Sequence, residues 1–277
     1  MTAEPRRLGA DFAPRVASGA VLVLAALLAA YLGGWIFALF WAVAFGAVAW
    51  EWQRLIGDEG LVARAGLSWA AIALTAIFAQ RGSLPTSLAT VAVAAAALAF
   101  IGARTLAQRA FRAGGMLYAG VPLVATLAVR ASPEEGLPAV LWLFAVVWGT
   151  DIAAYFVGRF VGGPKLWPSV SPGKTWSGAV GGAVCGAGAG LLLSPWTNDS
   201  VVLLALGLAM SLAAQAGDLF ESALKRRFGV KDTSGLIPGH GGVMDRLDGF
   251  IAATLLAAVV GARNSEGQWL ASGLFHW

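Results

Sequence analysis

The sequence predicts an all-α integral membrane protein, a polytopic bundle of about nine transmembrane helices. Three observations support this fold class. Hydrophobic residues make up 58% of the 277 positions and charged residues only 12%, against about 25% charged in soluble domains. The apolar residues gather in runs long enough to cross a bilayer. Lys and Arg residues collect in alternate connections between these runs, as membrane topology requires.

The apolar runs predict the individual helices in order. Residues 16–50 exceed the roughly 20 residues of one crossing, so they predict a hairpin of two short helices that turns at Gly33 and Gly34. Seven further runs lie at 66–80, 85–102, 113–130, 138–158, 175–193, 201–217 and 249–262. We divide the chain into an N-terminal transmembrane scaffold of about five helices, residues 1–137, and a C-terminal catalytic region, residues 138–277, with the signature loop 218–248.

Nine crossings place the two termini on opposite sides of the membrane. If the N-terminus is cytoplasmic, all but three of the 19 Lys and Arg residues fall in cytoplasmic segments, the exceptions being Arg81, Arg130 and Arg263. Positive charge is retained on the cytoplasmic side, so this bias predicts an N-in, C-out topology. We expect residues 1–15 to remain attached, because the apolar run after them is longer than that of a signal peptide.

One polar segment, residues 215–248, is not explained by burial in a membrane. It contains eleven titratable side chains: Asp218, Glu221, Lys225, Arg226, Arg227, Lys231, Asp232, His240, Asp245, Arg246 and Asp248. Ionisable groups are costly beside lipid, so a cluster of this density indicates function.

The carboxylates of this segment have the spacing of a metal site. Helical geometry places Asp218 over Glu221 and Ser222, and Asp245 over Asp248. Two carboxylates on one face repel each other unless a cation lies between them, and Mg²⁺ is bound by a few carboxylates together with substrate phosphates. An alternative from the residues alone is that these aspartates form ion pairs with neighbouring bases.

The rest of the segment suits phosphate groups. The turn 238–242 is rich in glycine, so its backbone N–H groups can approach an anion. The bases on either side of it are typical ligands for phosphate oxygens. Carboxylates, backbone donors and bases together predict metal-dependent phosphoryl or nucleotidyl transfer. We expect His240 to contact phosphate or nucleotide rather than abstract a proton, since a phosphomonoester is already largely dianionic near neutral pH.

Two further groups of polar residues lie upstream. Residues 171–175, Ser-Pro-Gly-Lys-Thr, predict a helix start with Ser171 as N-cap and Pro172 in the first turn. A helix N-terminus that carries Lys174 is a candidate anion site. Asp151 and Arg159 share one helix face, and either an ion pair between them or a role in substrate binding would account for the buried acid.

These residues resemble the phosphatidate cytidylyltransferases, also called CDP-diacylglycerol synthases. The matching signature residues are Ser222, Lys225, Arg226, Lys231, Asp232, Pro238, His240, Gly241, Gly242, Asp245, Arg246 and Asp248. Gln215, Gly217 and Asp218 are similar to the same family, as are residues 171–175. The resemblance covers the C-terminal half from Asp151 onward. The sequence departs from the family at Ser177, where the pattern has an acidic residue.

The resemblance implies condensation of CTP with phosphatidate to CDP-diacylglycerol and pyrophosphate, in phospholipid biosynthesis. It implies one or two divalent cations, Mg²⁺ with or without a second cation type, held by the catalytic residues Asp218, Asp245 and Asp248. The substrate-binding residues would be Ser171, Lys174, Thr175, Ser222, Lys225, Arg226, Lys231, Asp232, His240, Gly241, Gly242 and Arg246. It also implies a homodimer in the bacterial inner membrane, with the active site facing the cytoplasm.

Other functions are weighed against this one. A related CTP-dependent enzyme could act on another membrane lipid, as another CDP-lipid synthase or a lipid kinase. A cation transporter would spread its charges over several spans, whereas here they concentrate in one segment. The bases follow topology rather than forming a patch for nucleic acid, so no nucleic-acid partner is expected. Glycines at 178, 182, 186 and 190 predict close helix packing, which is also compatible with a homodimer.

Overall fold

The computed structural model describes residues 12–57, 59–192, 199–265 and 269–276. This part of the chain is predominantly helical, which confirms the all-α prediction. The long helices are α1 Phe12–Leu32, α2 Gly34–Leu55, α3 Leu61–Gln80, α4 Leu84–Phe100, α5 Leu106–Arg130, α6 Gly136–Phe160, α7 Trp176–Leu192, α8 Ser200–Arg227 and α9 Met244–Asn264. A hairpin of β1 Lys165–Trp167 and β2 Ser171–Thr175 precedes α7, and a single turn, α10 Ser272–Phe275, follows α9.

The helices have the dimensions and composition of an integral membrane protein. Within the described residues, α2, α3, α5, α6 and α8 are long and apolar enough to cross a bilayer. The apolar stretches in α1, α4 and α7 are shorter. Run 16–50 overlaps α1 and α2, and each of the seven further runs overlaps one long helix. The number of crossings, the N-in, C-out topology and the division at residue 137 stay predictions, and residues 1–11 of the predicted cytoplasmic segment lie outside the described residues.

The predicted helix start at Ser171 is wrong. Residues 171–175 form strand β2, which pairs antiparallel with β1 so that Thr175 lies opposite Lys165. The N–H of Trp176 donates to the carbonyl of Pro164 at 3.0 Å, which closes the hairpin. The backbone of this segment is therefore hydrogen-bonded across the hairpin, and the helix can begin only after it.

Thr175 performs the capping role that the sequence predicted for Ser171. Its Oγ1 accepts a hydrogen bond from the N–H of Gly178 at 3.1 Å, the pattern of an N-cap side chain. Ser177, which departs from the family pattern, lies 3.0 Å from this Oγ1 and donates to the carbonyl of Gly162. Both hydroxyls thus fasten the start of α7 to the hairpin before it.

Two arginines used in the topology prediction bind helix C-termini. The fully buried Arg64 donates to the carbonyl of Gln53 at 3.3 Å, near the end of α2. Arg130 donates through Nε to the carbonyl of Ala30 at 2.9 Å, near the end of α1. The last carbonyls of a helix lack partners within it, so a guanidinium group at that place satisfies them and complements the helix dipole.

The glycine stripe of α7 packs against α6 of the same chain. All four stripe glycines, at 178, 182, 186 and 190, are buried. A Cβ at Gly186 would collide with the Thr150 hydroxyl and lie 2.9 Å from the carbonyl of Val146. The stripe therefore provides close approach of α6 and α7, as small residues do between membrane helices.

We predict that Gly186→Ala lowers the free energy of unfolding by about 1–3 kcal/mol, because the added methyl overpacks the α6–α7 contact. Gly188→Ala is the matched control on the same helix, since a Cβ there meets nothing within 4 Å. Thermal unfolding of both variants in detergent, followed by tryptophan fluorescence, measures the difference. Equal midpoints for the two variants would contradict the packing assignment.

Candidate active site

Asp245, in the first turn of α9, holds the connection between α8 and α9. Its Oδ2 accepts from the N–H of Gly242 at 2.7 Å and from the N–H and hydroxyl of Thr233 at 3.0 and 3.1 Å. Its Oδ1 lies 2.7 Å from Nζ of Lys225 on α8. One carboxylate thus holds together α8, α9 and two separate points of the loop between them.

Lys225 joins this network to a second buried acid. Its Nζ lies 2.7 Å from Oε2 of Glu221, one turn earlier on α8. The contact is therefore an ion pair, and Lys225 carries the charge that compensates two acids on adjacent helices.

Glu51, on α2, was not among the residues that the sequence singled out. Its Oε1 accepts from the N–H of Val243 at 2.8 Å and from the Ser234 hydroxyl at 2.5 Å. Its Oε2 accepts from the N–H of Met244 at 2.7 Å and shares the single Thr233 hydroxyl proton with Oδ2 of Asp245, each acceptor lying 3.1 Å from that hydroxyl oxygen. The available sequence signal was a carboxylate beside an apolar run, which is costly unless it is partnered. The resemblance begins a hundred residues later and gave no reason to consider it.

A second group of charges surrounds Asp218 on α8. Nζ of Lys174, on β2, lies 2.5 Å from Oδ2 of Asp218. The hydroxyl of Ser222 donates to Oδ1 of Asp218 at 3.4 Å, which confirms that these two residues share a helix face. The β-hairpin therefore positions a base directly over the carboxylate of α8.

Asp248, one turn into α9, faces the same group. Its Oδ1 accepts from the N–H of Gly249 at 2.7 Å. Its electrostatic neighbours are the like charges of Asp218 and Asp151 and the positive charge of Lys174. The backbones of α8 and α9 meet here, because a Cβ on residue 217 would collide with the carbonyl of Asp248. Acids from three helices thus converge.

Asp151 contributes to this group rather than pairing with Arg159. Its charged neighbours are Asp218, Lys174 and Arg246, whereas Arg159 donates to the hydroxyl of Tyr155 at 3.1 Å. Asp151 and Arg159 therefore do not form the ion pair that the sequence analysis offered as an alternative.

The donor set fits a divalent cation chemically, since it consists of carboxylate oxygens that repel one another without a cation. Within the described residues, no three His, Cys, Asp or Glu side chains already form a metal-ligand group. Asp245 differs from Asp218 and Asp248, because its Oδ2 is fully engaged by the loop and only Oδ1, held by Lys225, is open to exchange. The three predicted ligands therefore lie in two environments.

The other predicted bases contact backbone carbonyls around the loop. Arg226 donates through Nε to the carbonyl of Val170 in the hairpin at 3.3 Å. Arg246 donates through Nε to the carbonyl of His240 at 3.1 Å. Each guanidinium group thus keeps further N–H donors for a ligand. Both side chains are exposed.

The turn 238–242 uses part of its own backbone. The N–H of His240 donates to the carbonyl of Ile237 at 2.9 Å, and that of Gly242 to Asp245. The His240 ring lies with Nδ1 2.9 Å from the hydroxyl of Ser18 on α1. The sequence predicted that backbone N–H groups of this turn bind an anion. Because two of them are already engaged, anion binding here would depend more on the neighbouring side chains.

Three predicted substrate-binding residues lie outside these networks. Lys231 and Asp232 are exposed in the loop, and Ser171 is half-buried at the start of β2. The Oδ1 of Asp232 is directed towards Gly241, where an added Cβ would lie 3.4 Å from it. The loop leaves Lys231 and Asp232 open to a ligand.

The fold and these side chains together define a polytopic membrane protein with bases and carboxylates gathered where α8, α9 and the β-hairpin meet. The chain belongs to the cytidylyltransferase family, which matches residues 13–262.

Two relatives are similar along almost the whole chain, and a third is similar along less than half of it. The phosphatidate cytidylyltransferase of Brucella suis biovar 1 (strain 1330) is 40% identical over 257 residues, 91% of this chain and 94% of that protein. The protein of the same name from Brucella abortus biovar 1 (strain 9-941) is 39% identical over 266 residues, 94% of this chain and 97% of its own. That of Staphylococcus aureus (strain COL) is 44% identical over 121 residues, 43% of this chain and 46% of its own.

We predict that Lys225→Met lowers the free energy of unfolding by about 3 kcal/mol or more, because it leaves two buried carboxylates without their cation. Lys165→Met is the control, since Lys165 is an exposed lysine whose Nζ reaches only the carbonyl of Gly173 at 3.4 Å. Adding Glu221→Gln to Lys225→Met should recover part of the loss. Thermal unfolding in detergent measures all three, and a midpoint for Lys225→Met equal to that of the control would refute the ion-pair role.

Proposed function

We propose that this protein transfers the cytidylyl group of CTP to phosphatidate, giving CDP-diacylglycerol and pyrophosphate. The observation that carries the proposal is the 40% identity over 91% of the chain to a protein named phosphatidate cytidylyltransferase. The site supports it chemically, because bases for phosphates and carboxylates for a cation lie together on a membrane-embedded scaffold.

In the proposed reaction, a phosphate oxygen of phosphatidate attacks the α-phosphorus of CTP. One P–O bond forms between the two substrates, while the bond from the α-phosphorus to the oxygen that bridges to the β-phosphorus breaks. The electron pair of that bond leaves with pyrophosphate. Both substrates are anionic, so the main task of the protein is to hold them close and compensate the charge.

Lys174, Arg226 and Arg246 are suited to this task. Lys174 compensates the charge of Asp218 in this structure. When a metal cation takes over that compensation, the ammonium group of Lys174 is free to turn to a phosphate. Arg226 and Arg246 keep N–H donors beyond their bonds to backbone carbonyls. Lys225 lies deeper and holds Glu221 and Asp245, so it contributes mainly by fixing the two helices.

A divalent cation such as Mg²⁺ would be held by Asp218 and Asp248, with Asp151 nearby. Asp245 would contribute through Oδ1, which it would share between the cation and Lys225. When bound, the cation supplies positive charge that draws the phosphates together and stabilises the leaving pyrophosphate. The carboxylates of this chain bind and orient it. Whether one or two ions bind, and whether a second cation type takes part, follows from metal titration.

The site belongs at the cytoplasmic headgroup level of the bacterial inner membrane in this proposal. Phosphatidate keeps its acyl chains in the bilayer while CTP arrives from water, so the reaction must occur at the boundary. The lysine and arginine bias of the sequence supports the cytoplasmic side. The resemblance suggests a homodimer, and the α7 glycine stripe does not supply its contact, because α6 already covers that stripe.

We predict that purified protein releases pyrophosphate only when CTP, phosphatidate and Mg²⁺ are all present. Asp218→Asn and Asp248→Asn should each lower the rate at least about 100-fold, because each removes a negative charge that the cation requires. Asp199→Asn is the control, since Asp199 caps the opposite end of α8 and asparagine caps equally well.

The same assay separates other outcomes. CDP formation with another lipid would make the protein a lipid kinase, and pyrophosphate release with another lipid phosphate would change only the acceptor. Full activity of Asp218→Asn or Asp248→Asn, at the metal concentration that saturates the unsubstituted protein, would show that the substituted carboxylate is not a metal ligand.

A further inference from the structure

Glu51 connects the N-terminal helices to the signature loop. Four donors converge on its carboxylate at 2.5–3.1 Å, two from loop hydroxyls and two from the first backbone N–H groups of α9. The side chain is fully buried. A carboxylate at a helix N-terminus satisfies N–H groups that lack partners within the helix and complements the helix dipole.

The backbone of α2 around Glu51 is anchored independently of the loop. Nε1 of the adjacent Trp52 donates to the carbonyl of Phe111 on α5 at 2.8 Å. Nε2 of Gln53 donates to the carbonyl of Arg112 at 2.9 Å. These two bonds fix α2 against α5, so Glu51 presents its carboxylate from a rigid support rather than following the loop.

The Glu51 carboxylate reaches the loop because residue 242 is a glycine. A Cβ at Gly242 would lie 2.6 and 2.8 Å from the two Glu51 oxygens and would also collide with the Thr233 hydroxyl. The absence of a side chain at residue 242 therefore gives Glu51 access to the N–H groups of the next two residues. On the other side of the same turn, Asp245 accepts the N–H of Gly242 itself.

We propose that Glu51 is a positioning residue for the reaction. It fixes the start of α9 and thereby the place of Arg246 and Asp248, although it touches neither substrate nor cation. The proposal rests on the proposed function, because Arg246 and Asp248 are taken to act on phosphate and metal. The scaffold region then sets the geometry of the catalytic region through one carboxylate.

The test compares Glu51→Gln with Thr126→Ala. The amide of Glu51→Gln replaces one acceptor by a donor that faces other donors, so the loop should loosen locally. Thr126→Ala removes a buried hydrogen bond within α5, to the carbonyl of Pro122 at 2.7 Å, and this bond involves neither α2 nor the loop. We expect at least ten-fold faster hydrogen exchange across 233–246 for Glu51→Gln only. We also expect kcat/KM to fall about 100-fold, the effect of an ångström-scale misplacement.

Exchange is measured on protein whose unfolding midpoint is recorded, so global destabilisation is separated from loosening of the loop. Unchanged exchange in 233–246, or a loss of activity no larger than in Thr126→Ala, would overturn the proposal. If Glu51→Gln does not accumulate, Ser234→Ala removes one of the four bonds and should give a smaller change of the same kind. An unsubstituted protein without pyrophosphate release would refute the proposed function, while the exchange result would still test the role of Glu51.

A second, independent observation is a groove on the opposite face of α8. A cavity of about 710 Å³ lies between α5 and α8, and Trp52, Leu117, Phe220 and Leu224 contribute to its apolar lining. At 100° per residue, Phe220 and Arg227 lie on the side of α8 away from Asp218 and the other site residues. The Arg227 end of the groove is therefore turned away from the proposed reaction site, whereas Tyr118 at its inner end has the site acids Asp248, Glu221 and Asp218 as electrostatic neighbours.

Two polar groups border this groove. The guanidinium of Arg227 lies 4.7 Å from the ring centre of Phe111 and has no acidic partner within the described residues. The buried hydroxyl of Tyr118 has no hydrogen-bond partner in the same part of the chain. A cation at the end of α8 and a hydroxyl farther inside match the phosphate and the ester oxygens of a phospholipid whose chain lies on the aromatic rings.

We infer that this groove binds one membrane phospholipid with an anionic headgroup. Native mass spectrometry of the detergent-purified protein, titrated with phosphatidylglycerol or phosphatidylcholine, tests it. Phosphatidylglycerol should bind about five-fold more tightly, and Arg227→Gln should abolish that preference. Phe220→Ala should weaken both lipids.

Arg54→Gln is the matched control, since Arg54 also ends a helix and lies over an aromatic ring, 5.5 Å from the centre of Trp50. A preference for phosphatidylglycerol that survives Arg227→Gln, or that Arg54→Gln removes equally, would overturn the assignment. Binding of neither lipid would do the same.

Discussion

The site depends on two buried carboxylates, Glu51 and Asp245, that hold the loop between α8 and α9. Between them they accept the backbone N–H groups of Thr233, Gly242, Val243 and Met244. A loop of this length without regular structure has many conformations, and its polar backbone needs partners when it is buried. Charged acceptors satisfy it more strongly than neutral ones would. These two side chains therefore fix the loop and the start of α9, whereas Lys174, Asp218 and Ser222 are placed by β2 and α8.

The charged residues form two different groups. In one group the acids and the base compensate each other, and in the other the acids outnumber the bases. Lys225 is enclosed between Glu221 and Asp245, with little exposure, and its contacts are complete. Around Asp218, by contrast, acids from three helices face one another with bases at their margin. Additional positive charge would stabilise such a centre, and in the proposed function it accepts anions once that charge is present. The proposed function therefore gives different roles to neighbouring acids of one sequence motif.

The sequence predicted the helices and the presence of the site better than its internal contacts. Apolar runs identify membrane helices because the bilayer requires them, and helical spacing correctly placed Ser222 beside Asp218. Asp245 and Asp248 share a helix, yet the first turns to the loop and the second to α8, which spacing alone does not distinguish. The β-hairpin was missed because Ser-Pro followed by Gly-Lys-Thr is equally typical of a helix start. Glu51 was missed because its partners lie far along the chain.

That separation has a consequence for how the protein is made. Glu51 precedes Val243 and Met244 by 192 and 193 residues, and chains emerge from the ribosome N-terminus first. The carboxylate of α2 must therefore remain without its final partners while most of the protein is synthesised. The loop can close on it only when α9 arrives. Assembly of the site thus waits for α9, and a chain that stops before this helix would leave the Glu51 carboxylate without two of its backbone partners.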